Sequence, residues 1–326
     1  MSTTENPSEY FDVAIIGAGA AGLTAAIYTS RRALKTLIIS KDVGGQAALT
    51  TEIENYPGVG LVDGFDLMNR FLGDAKKFGA ILKSEEAKKI ERIDDDFLLT
   101  TNSKSYRAAA IILAFGLTPR DLGVPGEEDF KGKGVSYCAT CDGPLFKGKT
   151  VAVVGGGNSA LDAAEYISRL ASKVYLLHRR DQFRGDEILV ERVKNIPNIE
   201  IFYNTGVGKI KGSTHVESID LVDATNETLI KPLAVDGVFV EIGHVAKTEW
   251  VGELVEYDDH KQIKVNRNCE TKTLGLFAAG DVTDIAYKQI IISGGEGSKA
   301  ALQAYKYLQA TKGIKGVNID WGVSKK

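Results

Sequence analysis
The segment Cys138-Ala139-Thr140-Cys141-Asp142-Gly143 holds two thiols three positions apart, with a carboxylate directly after the second. Three chemistries fit such a pair. Zinc takes four ligands, as two such pairs or as one pair with histidines. The rest of the chain offers Cys269 and four scattered histidines, His178, His215, His244 and His260, at no repeated ligand spacing. No metal is therefore expected. A passive buried pair is the second possibility, and a redox dithiol the third: CxxC in an intracellular βαβ protein. A free thiol with a pKa of about 8.5 is only a few per cent thiolate at pH 7. Exchange chemistry then needs a neighbouring proton carrier, and Asp142 is placed for that. On the dithiol reading Cys138, Cys141 and Asp142 are the candidate catalytic residues, while Cys269 is a bystander in the polar turn Asn266-Arg267-Asn268-Cys269-Glu270.

Two glycine clusters supply the second kind of chemistry. Gly17-Ala18-Gly19-Ala20-Ala21-Gly22 follows the apolar run Val13–Ile16 and leads into Leu23-Thr24-Ala25-Ala26-Ile27-Tyr28. Gly155-Gly156-Gly157-Asn158-Ser159-Ala160 follows Val151–Val154 and leads into Leu161-Asp162-Ala163-Ala164-Glu165-Tyr166. Laid over each other, these 16-residue stretches agree at eight positions and lie 138 residues apart. Each predicts a strand, a tight turn and a helix. The first glycine makes the turn, the second admits a pyrophosphate, and the third position (Gly22 or Ala160) packs helix on strand. The pyrophosphate rests on free N–H groups at the helix start. The chain thus reads as two dinucleotide-binding units built on a duplication.

The residues downstream of each copy separate the ligands. A NAD site expects an acid about 20 residues on, for the ribose 2′-OH. After the second copy the predicted strand Val174–Leu177 ends instead in His178-Arg179-Arg180, with Arg184 close behind. Guanidinium forks suit a 2′-phosphate, so NADPH is expected there. After the first copy the predicted strand Thr36–Ile39 ends in Ser40-Lys41, with neither acid nor arginine cluster. Gly44-Gly45-Gln46 adds a flexible loop beyond it, and Leu276–Ala279 reads as a short buried strand ending in Gly280-Asp281, whose acid suits a polyol. A hydride donor and a disulfide need an intermediary between them, and a flavin in the first site fits.

The remaining composition describes the scaffold that must carry these groups. The chain has 326 residues, of which 44% are hydrophobic and 25% charged, an ordinary globular balance. Its length suggests roughly two domains. Lys plus Arg is 40 and Asp plus Glu is 43, for a net charge of −3, which argues against nucleic-acid or membrane-surface partners. Three cysteines exclude a disulfide framework. No apolar run approaches the roughly 20 residues of a membrane span. The start MSTTENPSEY does not resemble a secretory signal, and a cytoplasmic location is expected.

Taken in order, GAGAAG, Gly44-Gly45-Gln46, the stretch Thr51–Gly58, CATCDG, GGGNSA, HRRDQFR, Ile242-Gly243-His244 and FAAGDV closely resemble the low-molecular-weight thioredoxin reductases, over nearly the whole chain. The resemblance implies an α/β protein of two Rossmann-like three-layer domains, the second inserted into the first. An FAD domain would span 1–117 and 246–326, and an NADPH domain carrying CxxC would span 118–245. FAD would meet Gly17, Gly19, Ala20, Ala21, Gly22, Gly44, Gly45, Gln46, Asn55, Gly280, Asp281, Gln289 and Ile290. NADPH would meet Gly155, Gly157, Asn158, Ser159, His178, Arg179, Arg180 and Arg184. Cys141 would face the flavin, Cys138 would attack the partner disulfide, and Asp142 would be the acid–base residue. The family resemblance further implies a homodimer whose protein substrate is thioredoxin. Two features depart from that pattern: Phe115 stands where the family has a small polar residue, and the stretches Tyr287–Ile292 and Asp142–Lys149 resemble the reductase subunit of alkyl hydroperoxide reductase. A glutaredoxin-like protein or a peroxiredoxin is accordingly an alternative substrate. A non-catalytic flavin redox sensor is the alternative of a different class.

Overall fold
The structure, a computed structural model, describes residues 9–49, 53 and 55–314; the side chains of Leu49 and Cys141 lie outside that description. The chain divides into two compact units, Met1–Leu117 with Ala246–Lys326, and Thr118–Val245.

The first unit opens with β1 (Glu9–Ile16), α1 (Ala20–Ser30), β2 (Thr36–Ser40), α2 (Gly64–Lys77), β3 (Ile81–Ser84), β4 (Ala87–Ile93), β5 (Asp96–Thr101) and β6 (Ser105–Leu113). The sheet runs β3-β2-β1-β6-β5-β4. It is parallel from β3 to β6 and antiparallel over β6, β5 and β4. The run Val13–Ile16 is apolar throughout because helices and loops cover both faces of the sheet. Val13 and Ile15 join Ile38, Ala110 and Ile112 under the helices, while Ala14 and Ile16 join Leu37, Ile39, Ile111 and Leu113 on the other face. That alternation is the two-residue period of a strand.

The chain then builds the second unit: β7 (Thr118–Pro119), β8 (Val135–Ser136), α3 (Ala139–Asp142), β9 (Thr150–Gly155), α4 (Asn158–Ser168), β10 (Lys173–Leu177), α5 (Glu187–Lys194), β11 (Ile199–Phe202), β12 (Thr205–Gly212), β13 (Val216–Asp223), β14 (Leu229–Ala234), β15 (Gly237–Glu241) and β16 (His244–Val245). Its five-stranded sheet, β11-β10-β9-β15-β8, is parallel at every pairing. Val151, Val153, Val174 and Leu176 pack on α4 and α5. Ala152, Val154 and Leu177 face the antiparallel sheet β12-β13-β14 through Val207, Ile210, Ile219 and Leu221. This is the same three-layer plan, with a small sheet as the third layer.

Back in the first unit, β17 (Leu276–Ala278) adds in parallel to β6, and α6 (Ile290–Thr311) lies along α1. The helices meet through small residues. A Cβ placed on Gly297 would stand 2.0 Å from the Ala21 carbonyl oxygen, whereas one on Gly295 would meet nothing within 4 Å. Substitutions at the two glycines therefore carry opposite signs. Gly297→Ala overpacks the helix contact and costs at least about 2 kcal/mol. Gly295→Ala, in the same helix, stabilises by roughly 0.5–1 kcal/mol through lower chain entropy in the unfolded state. Thermal melts of both variants check this; equal shifts would refute the close approach.

Candidate active site
In each unit the strand that feeds the glycine loop lies inside its sheet, with pairing partners that continue in opposite directions. Crevices form at the carboxyl ends of strands at such switch points. Both glycine loops leave their strands there.

In the first unit Gly17 has φ +109°, and a Cβ on it would stand 2.3 Å from Ala114 O. Gly22 sits against Gly17 O, where a Cβ would be 2.0 Å away. No side chain caps α1 at Gly19, so its first N–H groups are free for an anion. Ala20 and Ala21 follow, both buried. Gly44, at φ +96°, donates to Ala18 O at 2.7 Å, which folds Gly45 and the exposed Gln46 over the α1 start. From the far end of the sequence, Gly280 (φ +77°) packs near Ala21, and Asp281 accepts from Ser293 Oγ at 3.0 Å. Asn55 Nδ2 donates to Gln289 Oε1 at 3.2 Å, across 234 positions of sequence, and Gln289 and Ile290 begin α6 with no side-chain cap. The structure thus brings together around two uncapped helix starts the candidate residues of this half. Segment 50–52 and Glu54, within the Thr51–Gly58 motif, lie outside the described residues.

Glu296 was not singled out in the sequence, yet it ties this corner together. It is 6% exposed; its carboxylate accepts from the Gly280 N–H (3.3 Å) and the Thr283 hydroxyl (3.4 Å), and Lys299 Nζ stands 3.4 Å away. A lone acid in the small-residue helix stretch SGGEGS was the available signal. Cys269 differs from the solvated turn residue expected. Its φ of +64° turns the side chain into the core, 3.6 Å from Glu296 O, and burial together with the Glu296 charge pushes the thiol up to about 12. It stays a thiol at any physiological pH. Phe115 stacks at 5.0 Å on Trp250, so an aromatic contact within this unit replaces whatever a small polar residue would make.

In the second unit Gly155 (φ +155°) leaves no room for a Cβ, which would lie 2.2 Å from Glu241 O. The start of α4 at Gly157 is uncapped, and a Cβ there meets nothing within 4 Å, so the approach to its N–H groups is open. Ser159 is exposed beside it. His178 lies beneath this loop: a Cβ on Gly156 would stand 2.1 Å from its Nδ1, and its Nε2 is 2.8 Å from Gln182 O. Burial, aided by the Arg180 and Arg179 charges, holds its pKa below the ordinary imidazole range. It is a neutral prop for the loop.

Arg179, Arg180 and Arg184 are all exposed, and among the described residues none forms an ion pair with a carboxylate. Their segment is tied to the loop. Arg184 N–H donates to Gly156 O at 2.7 Å, and Asn158 and Asp186 exchange hydrogen bonds of 2.8 and 3.1 Å. The Asn158 side chain therefore holds the arginine segment. Asp186, missed in the sequence, is its partner.

The thiols occupy the same unit. Cys138 is disulfide-bonded and half-buried at the start of α3. Its N–H donates to Ser136 Oγ (3.1 Å), and the Ser136 hydroxyl donates back to Cys138 O (3.2 Å). Tyr137, just before it, donates to Glu127 (2.7 Å) and Asp121 (2.9 Å), and Glu127 in turn accepts from the Leu122 and Gly123 N–H groups. Asp142 is half-buried, its N–H bonded to Cys138 O at 3.1 Å. The Cys141 side chain lies outside the described residues. Glu241, at the end of β15, accepts a hydrogen bond from the Ala139 N–H, and burial pushes its pKa up from 4.5 to about 7.

Two Rossmann-like cradles and a disulfide-bonded CxxC cysteine define a nucleotide-dependent disulfide oxidoreductase. The chain belongs to the pyridine nucleotide-disulphide oxidoreductase family, which it matches over residues 11–305. It is 41% identical to the thioredoxin reductase of Listeria monocytogenes over 93% of this chain and 95% of that one. It is 42% identical to the thioredoxin reductase of Treponema pallidum over 91% of this chain and 97% of that one. The crystal structure of Lactococcus lactis thioredoxin reductase superposes with a TM-score of 0.82 at 34% identity, covering 92% of this chain and 99% of that one. FAD and NADPH are the cofactors of this family, and the two uncapped glycine cradles fit dinucleotides. Among the described residues no helix is long and apolar enough to cross a membrane.

Proposed function
We propose that this chain is an NADPH-dependent thioredoxin reductase, with FAD on the first unit, NADPH on the second, and Cys138 and Cys141 as the exchanging pair. The observation that carries this reading is the second unit itself. One parallel sheet bears a disulfide-bonded Cys138, an open helix start at Gly157 and three exposed arginines tied to that loop. NADPH supplies two electrons as hydride, and bound FAD converts hydride transfer into reduction of a disulfide. The disulfide takes up two electrons and two protons. Cys138 then attacks the disulfide of the partner protein, and the second cysteine closes on it to release the partner reduced. Asp142 moves the proton, and Tyr137, Ser136 and Glu127 hold the approach to Cys138. The further readings are a homodimer and a cytoplasmic location, supported by resemblance.

An anaerobic spectral titration, followed by steady-state turnover with thioredoxin, tests the proposal. NADPH at low excess should bleach the flavin band, NADH far less, and thioredoxin should then sustain turnover. Purified protein lacking a flavin spectrum, or bleaching without thioredoxin turnover, overturns it. The alternative substrate, a peroxiredoxin or glutaredoxin-like protein, is favoured by the alkyl hydroperoxide reductase-like stretches and is separated by comparing turnover with each under NADPH. Asp142→Asn should slow thiol–flavin exchange by about 10²-fold, the usual worth of a positioned acid–base group. Stopped-flow reoxidation checks it, and a wild-type rate reduces Asp142 to a spacer.

A further inference from the structure
Glu241 is a half-buried carboxylate with no part in the electron path just described. It ends β15 beside Gly155 of β9, with which it pairs in register, and it accepts from the N–H of Ala139, the residue after Cys138. The titratable groups on the surrounding elements are the motif cysteines and Asp142 on the α3 segment, His178 under Gly156, Asp162 on α4 and His244 beyond β15. None exerts a resolved pull on it; burial raises its pKa and the Ala139 N–H opposes that. With the disulfide closed, Glu241 has no charged neighbour to answer. Opening the disulfide creates one, because a thiolate at Cys138 and a carboxylate on the adjoining backbone N–H repel each other.

We propose that Glu241 is a proton-linked positioning residue of the dithiol centre, holding Ala139 while ionised and taking up a proton as charge arrives on the cysteines. This rests on the disulfide-reductase reading. In that step the S–S bond breaks, two electrons enter from the NADPH-driven reaction, and two protons are taken up. One proton goes to a thiol and the other to Glu241, leaving the second cysteine as thiolate. A site whose ordinary carboxylate pKa is pushed up to about 7 takes a proton readily at neutral pH. Glu241 would thus gate how much attacking thiolate exists on each side of that pH.

The test uses chemically reduced holoenzyme, so it does not depend on NADPH turnover, which is assayed separately. Reduced with dithiothreitol and freed of it, wild type and E241Q are pulsed with iodoacetamide from about pH 5.5 to 8.5. Modification of the Cys138 peptide is tracked by mass spectrometry. A like charge nearby shifts a thiol by roughly 0.5–1 pH unit, so E241Q should react about 3- to 10-fold faster at pH 8 and like wild type at pH 5.5. The wild-type profile should carry an additional inflection near pH 7, which E241D keeps and E241Q loses. Superimposed profiles, or an offset equal at every pH, overturn the proposal. Should E241Q fail to retain flavin, E241D against wild type decides: loss of the inflection in E241D, with charge kept, also overturns it.

Discussion

Cys138→Ser should lose thioredoxin turnover by about 10⁴-fold or more while NADPH still bleaches the flavin. Removing a covalent nucleophile costs on that order because no neighbouring group can substitute for the bond it forms. A serine hydroxyl neither forms a disulfide nor leaves as a stable anion at neutral pH, so electrons reach the flavin and stop. Half-reaction and full reaction then separate in one variant. The geometry favours a clean outcome: the residue is half-buried, and its backbone ties to Ser136 Oγ and Asp142 do not involve the sulfur. Cys269→Ser is the matched control. That thiol is fully buried in the other unit and pushed up to about 12, so it takes no part in exchange. The variant should keep full turnover and lose only stability, about 1–3 kcal/mol for a hydroxyl in a thiol's apolar site. Turnover retained in C138S, or lost in folded C269S, contradicts the assignment.

The contrast between those two cysteines shows what a sequence can and cannot reveal. CxxC is local chemistry: spacing alone brings the thiols together, and the residues around it need not be known. The glycine loops are equally local, since a positive φ at Gly17 and the steric limit at Gly22 are demands that only glycine meets. The arginines were legible because the strand end at Leu177 projects the next residues into the crevice. Cys269 misled because its polar neighbours describe the turn, whereas its own φ of +64° sends the thiol inward. Glu296, Asp186 and Glu241 were not legible for a related reason. Each acts on a backbone or amide group far away in sequence: Gly280, Asn158 and Ala139. Such pairs leave no period and no spacing. His178 shows the intermediate case, where the motif HRR was visible but its division of labour was not. The histidine fills the space that a Cβ on Gly156 would need, and only the arginines reach solvent.

Replacing Arg179 and Arg180 together by alanine should erode the preference for NADPH over NADH by about 30- to 10³-fold, equivalent to about 2–4 kcal/mol. Each charge-assisted contact to a phosphate is worth roughly 1.5–3 kcal/mol, and exposure to solvent keeps the pair below the sum of two such contacts. The loss should fall on the KM for NADPH, with kcat and the NADH parameters little changed, because a 2′-phosphate is far from the hydride and is bound equally in ground and transition states. Salt should imitate the substitution: the wild-type KM for NADPH rises with ionic strength, and that dependence flattens in the double variant. Arg184 adds a finer test. Its N–H is fastened to Gly156 O and its segment to Asn158 through Asp186, so Asp186→Ala should loosen the arginine segment without removing a charge from it. If Asp186→Ala weakens NADPH more than NADH, the latch acts through Arg184. An unchanged NADPH/NADH ratio in the Arg179, Arg180 double variant would place phosphate selection elsewhere. The exposed guanidiniums would then be an ordinary solvated turn, and the case for NADPH as donor to this unit would lose its support.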